Sequence, residues 1–299
     1  MDQEFSPSPG DPIIVIGGAG IDLIGRLEGE LRAGSSNPAN IRTSYGGVAR
    51  NVAENLARLG QAAILISAIG DDHNGKQLLR QAAEAGIDVG AVLCTPEHPT
   101  GAYLGVVNPG GVLQFALDDI NATNAITPDY IRTHADLFKE ASLVFLDANL
   151  PKDTLRTIFS LARKARIPVC ADPTSTGLAD RLRPYLARLR FVAPNSGEAG
   201  VLCERPIENQ HPQDAMDAAK CLVGQGVDIV LITLAEFGVV YATSETSGHV
   251  PAMRTTIVDP TGAGDALSAT VIYSLLNGIP LDDAVRLGVT AASLTLRHR

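Results

Sequence analysis

Tryptophan is absent from this 299-residue chain, and aromatic side chains make up only 4% of it. Surfaces that stack nucleobases or sugar rings are built on aromatic platforms, so neither is expected here. No run of Lys or Arg occurs and the formal net charge is -9, the wrong sign for a nucleic-acid surface. The four cysteines, Cys94, Cys170, Cys203 and Cys221, form no CxxC pair, and the six histidines form no HxxxH. That pattern argues against a zinc site or a disulfide framework and leaves the thiols reduced and buried. No apolar run approaches the roughly 20 residues of a membrane span, and the opening "MDQEFSPSPGDP" is polar and acidic, unlike a secretory signal. These absences point to a cytoplasmic protein that works on a small molecule.

What the sequence does have is material for a large core, with 45% hydrophobic residues. Short β-rich runs, "IIVIGG" from Ile13, "AAILISAIG" from Ala62, "SLVFLDANL" from Ser142, "IPVCADP" from Ile167, "RFVAPN" from Arg190 and "DIVLITLA" from Asp228, alternate with helical patterns. The helical patterns include "ARNVAENLARLG", "NGKQLLRQAAEAG" and "KDTLRTIFSLARKAR". The alternation predicts an α/β fold: a Rossmann-like, mostly parallel sheet flanked by helices on both faces. Two regions break it. Residues 21–45 and "GAYLGVVNPGGVLQFAL" at 101–117 read as strands and turns, with "NPGG" as a hairpin signal. They are expected to form a small β-sheet lid, with strands from about 21–45 and 100–118, on a single domain spanning 1–299.

Three stretches compete as phosphate sites. "GDDHNGKQ" at 70–77 nearly fits GxxxxGK[ST], but Gln77 replaces the magnesium-binding hydroxyl, which leaves a turn into the next helix. "GGAGID" at 17–22 lacks the last glycine of a dinucleotide fingerprint, since Leu23 stands there, and this argues against an NAD-binding oxidoreductase. "VDPTGAGDALSA" at 258–269 is the stronger candidate. A glycine-rich turn opening a helix gathers free N–H groups, with Gly262, Ala263 and Gly264 unobstructed, and the helix dipole adds positive charge. Asp265 would repel a phosphate. It reads either as an ordinary N-cap or as a general base beside an anion hole. "SYGGVARNVAENLARLG" at 44–60 adds a Gly46–Gly47 turn and Asn51 one turn into a helix, and Asp22 follows the first strand; all four suit hydroxyl recognition or plain surface.

Together, "GGVARNVAENLARLG" and "DPTGAGDALSATVIY" resemble the two signature regions of the ribokinase-like, or PfkB, carbohydrate and nucleoside kinases, in the right order and covering the chain from Ile13 onward. The resemblance implies a Rossmann-like domain with a β lid, ATP as donor and Mg²⁺. It makes Asp265 the catalytic base, Gly262, Ala263 and Gly264 the anion hole, and Asp22, Gly46, Gly47 and Asn51 acceptor-binding positions. "PNSGEAG" at 194–200 resembles the NxxE motif, which implies that Asn195 and Glu198 act on phosphates and Mg²⁺ through water. "TLAEFGV" at 233–239 resembles the TxGxxG nucleotide turn, so Thr233 and Gly238 would flank ATP, with Ala235 in place of the usual glycine. Asp259 and Thr261 fall where cation-activated relatives help to hold K⁺, and K⁺ stays open. The sequence given ends in "AASLTLRHR" where relatives continue to a final strand, so the adenine side is expected to be built differently.

Within the family, "GGVARNVAENLARLG", "DDINATNAITPDYI" and "LDANLP" at 146–151 look most like the pseudouridine-kinase subgroup, and the last of these puts Asp147 or Asn149 near the acceptor. The expected reaction is phosphorylation of the pseudouridine 5'-hydroxyl, with a sugar kinase or another nucleoside kinase as the alternative, and a non-catalytic sugar or nucleoside sensor behind both. Edges of the lid strands, such as "AYLGVV", suggest a homodimer.

Overall fold

A computed structural model describes residues 10–205, 207, 211–259 and 261–297. The first nine residues of the opening segment and the final two of the tail lie outside the described residues. Strands are β1 (Ile13–Ile16), β2 (Gly20–Leu27), β3 (Ala39–Gly46), β4 (Ala63–Gly70), β5 (Val92–Thr95), β6 (Gly101–Val107), β7 (Leu113–Asp119), β8 (Leu143–Asp147), β9 (Val169–Asp172), β10 (Phe191–Val192), β11 (Ile229–Thr233), β12 (Val239–Ala242) and β13 (Ser247–Val250). Helices are α1 (Val48–Arg58), α2 (His73–Glu84), α3 (Pro128–Thr133), α4 (Leu137–Glu140), α5 (Lys152–Ala165), α6 (Ser196–Leu202), α7 (Pro212–Gly224), α8 (Ala263–Leu276) and α9 (Leu281–Arg297).

The large sheet has the order β13-β12-β11-β10-β9-β8-β1-β4-β5. It is parallel from β5 through β11, and β12 and β13 add antiparallel edge strands. Its central strands are near-continuous apolar runs because both faces are covered. Along β1, Ile14 and Ile16 join the core formed with Ile158 and Phe159 of α5 and Leu222 of α7, while Ile13 and Val15 join the core formed with Leu56 of α1 and Val271 of α8. Side chains alternate across a strand, so a run of four apolar residues serves two cores. β1 has β4 on one side and β8 on the other. The chain therefore winds outward in both directions from β1, and the carboxyl ends of β1 and β8 flank the crevice where open α/β sheets hold ligands.

The regions read as helix-free form a separate four-stranded sheet, β3-β2-β6-β7. The "NPGG" hairpin closes through Gly111 N–H to Asn108 O at 2.9 Å and Val112 N–H to Asn108 Oδ1 at 2.9 Å. Asp72 caps α2 by accepting from Gly75 N–H at 2.8 Å, so "GDDHNGKQ" is a turn into a helix. The expectation of buried thiols holds for Cys170 alone: all four are free, Cys203 and Cys221 are half-buried, and Cys94 is exposed on β5 at the edge of the large sheet. No helix among the described residues is long and apolar enough to cross a membrane.

Helix α8 is apolar around most of its circumference because α1 and α9 both cover it. Its contact with α9 is close at Gly288, where an added Cβ would lie 2.7 Å from Val271 Cγ2 and 3.1 Å from Leu267 O. Gly288→Ala improves helix propensity but overpacks this contact. The expected net result in chemical denaturation is a loss of about 1–3 kcal/mol, and adding Val271→Ala should cost less than the sum of the single changes.

Candidate active site

Asp147, at the end of β8, organises the crevice. Its carboxylate is fully buried and accepts from Gly18 N–H at 2.8 Å, Ala49 N–H at 3.1 Å and Asn149 N–H at 3.0 Å. Burial pushes its pKa up, and these N–H donors work against that shift. Asp147 thus has no exposure, and both of its oxygens are engaged by the surrounding framework. Its neighbour Asn149 is also buried, with its side-chain amide against Gly18. Arg181 Nη1 donates to the carbonyls of Ala148, Asn149 and Leu150 at 3.0–3.1 Å and fixes that segment.

The turn into α1 is packed against the end of β1. Gly47 has φ 96°, and a Cβ there would lie 2.4 Å from Gly18 O. Only glycine meets both conditions. A Cβ on Gly46 would collide with the Asp22 carboxyl at 2.3 Å, so the bare position makes room for that side chain. Asp22 is 8% exposed and lines a cavity of about 590 Å³ together with Ser44, Tyr45, Arg50, Asn51 and Asp259. This volume suits a small ligand. Burial pushes the Asp22 pKa up to about 6; Asp259 adds to the rise and Arg50 opposes it.

The glycine turn closes the other side. Gly262 is the N-cap of α8 with φ 76°, and no side chain caps this helix. An N-cap role for Asp265 is thereby excluded. It sits in the first turn and instead accepts from Asn51 Nδ2 at 2.8 Å. Burial is the main cause that raises the Asp265 pKa to about 7, with Asp147 and Asp22 adding to it and Asn51 and Arg50 opposing. A Cβ on Gly264 would meet nothing within 4 Å, which leaves the uncapped turn open to an incoming group. Thr261 N–H donates to Asp259 Oδ1 at 2.9 Å, and Thr261, Gly262, Leu294 and Thr295 line the same cavity.

The remaining predicted residues lie further along the carboxyl edge. Asn195 caps α6 and forms a reciprocal box with Glu198, whose carboxylate accepts from Asn195 N–H at 2.9 Å and from its Nδ2 at 2.7 Å. Glu198 is 5% exposed, and burial raises its pKa. Thr233 pairs with Asn195 as an isolated bridge. Gly238 is held where a Cβ would lie 2.1 Å from Val250 O. Ala235 adopts φ 49°, a backbone shape suited to glycine, so the turn survives the substitution.

Several residues went unread in the sequence. Asp172, at the end of β9, has its pKa raised well above the ordinary range by burial and by Asp265, Glu198 and Asp147. Its signal was present, a carboxylate closing an apolar strand run. Arg50 and Gln81 gave none, because α2 supplies Gln81 to α1 only in three dimensions.

The raised Asp265 pKa has a consequence for stability. The fold retains a proton that the unfolded chain releases near 3.8. The stabilisation is complete below that value and is lost as pH rises through about 7. Asp265→Asn should therefore melt at a higher temperature than the parent at pH 8, with the gap closing below pH 6; calorimetric scans across that range check it.

A family model described as pfkB family carbohydrate kinase matches residues 11–299. A pseudouridine kinase of Escherichia coli K12 is 32% identical over 287 residues, covering 96% of this chain and 90% of that protein. A guanosine-inosine kinase of Exiguobacterium acetylicum is 28% identical over 283 residues, covering 94% and 93% respectively. The ribokinase of Arabidopsis thaliana, solved with ribose and ATP, shares the fold with a TM-score of 0.82 at 24% identity, covering 96% of this chain and 93% of that one. With its sheet order, its signature turns and a family match over nearly its whole length, the chain belongs to the pfkB family of carbohydrate kinases and is an ATP-dependent phosphotransferase acting on alcohol groups.

Proposed function

We propose that the protein transfers the γ-phosphoryl group of ATP to the 5'-hydroxyl of pseudouridine, with Asp265 as general base. One arrangement carries the reading: a carboxyl with a pKa of about 7 sits in the first turn of α8, beside a helix N-terminus that no side chain caps. A base poised near neutrality suits proton removal from an alcohol. In the step, the acceptor O–H bond breaks and its proton passes to Asp265. The freed oxygen bonds to the γ-phosphorus, and the bond from that phosphorus to the β–γ bridging oxygen breaks, its electron pair leaving on ADP. The N–H groups of Gly262, Ala263 and Gly264 meet the charge on the transferring group.

Asp22, Asn51 and the Gly46–Gly47 turn take the ribose hydroxyls, and Asn149 serves the uracil ring from behind Gly18. Asp147 holds this framework and does not contact the acceptor. The four-stranded sheet acts as the lid, and a closed lid keeps water from competing for the phosphoryl group. Asn195, Thr233, Gly238 and Thr261 receive the nucleotide. The identity to a pseudouridine kinase favours this acceptor, and the likeness to a guanosine-inosine kinase supports a second reading in which the acceptor is another nucleoside.

Mg²⁺ would neutralise phosphate charge. Among the described residues no three His, Cys, Asp or Glu side chains are grouped to hold a metal ion. Glu198, its oxygens already shared with Asn195, fits a role through water, as suits an ion that keeps several waters. K⁺ is assigned to the side of Asp259 and Thr261, to be judged by rates in K⁺ against a bulky organic cation.

The outer face of the lid exposes Ile41, Leu104, Phe115 and Leu117. This apolar surface supports a homodimer through the lid. In sedimentation, the parent should run as a dimer and Phe115→Glu as a monomer; a monomeric parent removes the idea.

ADP release is the first assay, with ATP and Mg²⁺ against pseudouridine, uridine, guanosine, ribose and fructose. Turnover should be highest with pseudouridine, and Asp265→Asn should lower kcat by about two or more orders of magnitude while binding survives. Preference for another nucleoside moves the acceptor. Binding without turnover on any acceptor favours a sensor.

A further inference from the structure

The Asn51 side-chain amide stands between two groups of opposite hydrogen-bonding character. Arg50 Nη1 donates to Asn51 Oδ1 at 2.9 Å, and Asn51 Nδ2 donates to Asp265 Oδ2 at 2.8 Å. A guanidinium offers donors and no acceptor, so the amide edge facing Arg50 has to be the carbonyl. The edge facing Asp265 is then the N–H.

Arg50 is firmly held. Its side chain is 5% exposed, pairs with Glu54, and donates to the Tyr45 carbonyl at 3.1 Å and to the Gln81 amide oxygen. Gln81 Nε2 in turn donates to Glu54 Oε1 at 3.3 Å, and Arg58 pairs with the same carboxylate. A continuous polar chain thus runs from α2 through α1 and ends on Asp265 of α8. Among the described residues, no hydrogen bond is made to the second oxygen of Asp265, Oδ1.

We propose that Arg50 is a positioning residue for phosphoryl transfer: by fixing the Asn51 amide, it keeps Asp265 Oδ2 occupied and reserves Oδ1 as the oxygen that takes the acceptor's proton. Were the amide free to turn, protonated Asp265 could donate from Oδ2 to the Asn51 carbonyl, and the proton would rest on the wrong oxygen. With Arg50 in place that alternative would leave two donors facing each other. The bonds made and broken are those given above, with the proton now assigned to Oδ1. This inference rests on Asp265 being the base.

Charge reinforces the geometry. Asp265 feels Asp22 from β2, Asp147 from β8 and Asp172 from β9, against Arg50 from α1. Arg50 itself faces Glu54 and Arg58 on its own helix, with Asp22 and Asp265 opposite. Removing the cation should let the Asp265 pKa climb, so the acidic limb of the rate profile moves to higher pH.

The test compares Arg50→Met, Arg50→Lys and Asp265→Asn with the parent, reading kcat, KM and the pH profile of kcat on the best acceptor of the panel. Arg50→Met should lower kcat about tenfold or more, with KM changed less, and should shift the acidic limb upward. Arg50→Lys keeps the charge and loses the fork, so its limb should stay near that of the parent while kcat still falls. If Arg50→Met does not fold, the Arg50→Lys split between kcat and limb carries the test. Parental kcat and an unmoved limb in whichever variant folds overturn the proposal while Asp265→Asn remains inactive. Full activity in Asp265→Asn overturns the base assignment and this inference with it.

Discussion

The buried Asp147 carboxylate is the interaction on which the rest of the structure depends. It binds three segments far apart in sequence: the turn after β1 through Gly18, the first turn of α1 through Ala49, and its own exit from β8 through Asn149. An unpaired charge at that depth would be very costly, and three aimed N–H groups offset the cost. The same contact explains why Gly17 is bare, since a Cβ there would lie 2.3 Å from the carboxyl. With α1 set against β1 and β8, Arg50 and Asn51 arrive at the crevice in register, and α8 brings Asp265 to meet them.

The site gathers several buried acids. Asp22, Asp172, Glu198 and Asp265 all have pKa values raised chiefly by burial. A fold maximising its own stability would not gather acids this way, and strongly perturbed carboxyls cluster at functional sites. Arg50 is the counterweight, and its burial is offset by Glu54 and the opposing aspartates.

Much of the fold was legible because its signals are local. The short continuous apolar runs of "IIVIGG" and "SLVFLDANL", and the helical spacing of "ARNVAENLARLG", are properties of a few consecutive residues. The "GAG" turn was legible for the same reason, as a bare loop at a helix start. Sequence places Asp147 at a strand end but does not show that its oxygens hold Gly18, Ala49 and Asn149. Ala235 was flagged as a departure, yet only the backbone shows that it takes the glycine-like φ of 49° and preserves the turn.

The sequence by itself determined the fold class, the helix-free second sheet and the family, all of which rest on short-range pattern and on residues within single turns. Only the tertiary structure decided how the polar groups are paired: Asn51 with Asp265 across 214 positions, Gln81 with Arg50 across 31, Asp147 with Gly18 across 129. Hydrogen bonds are directional and reach about 3 Å. Their partners are therefore chosen when strands and helices pack, and no window of consecutive residues carries that choice.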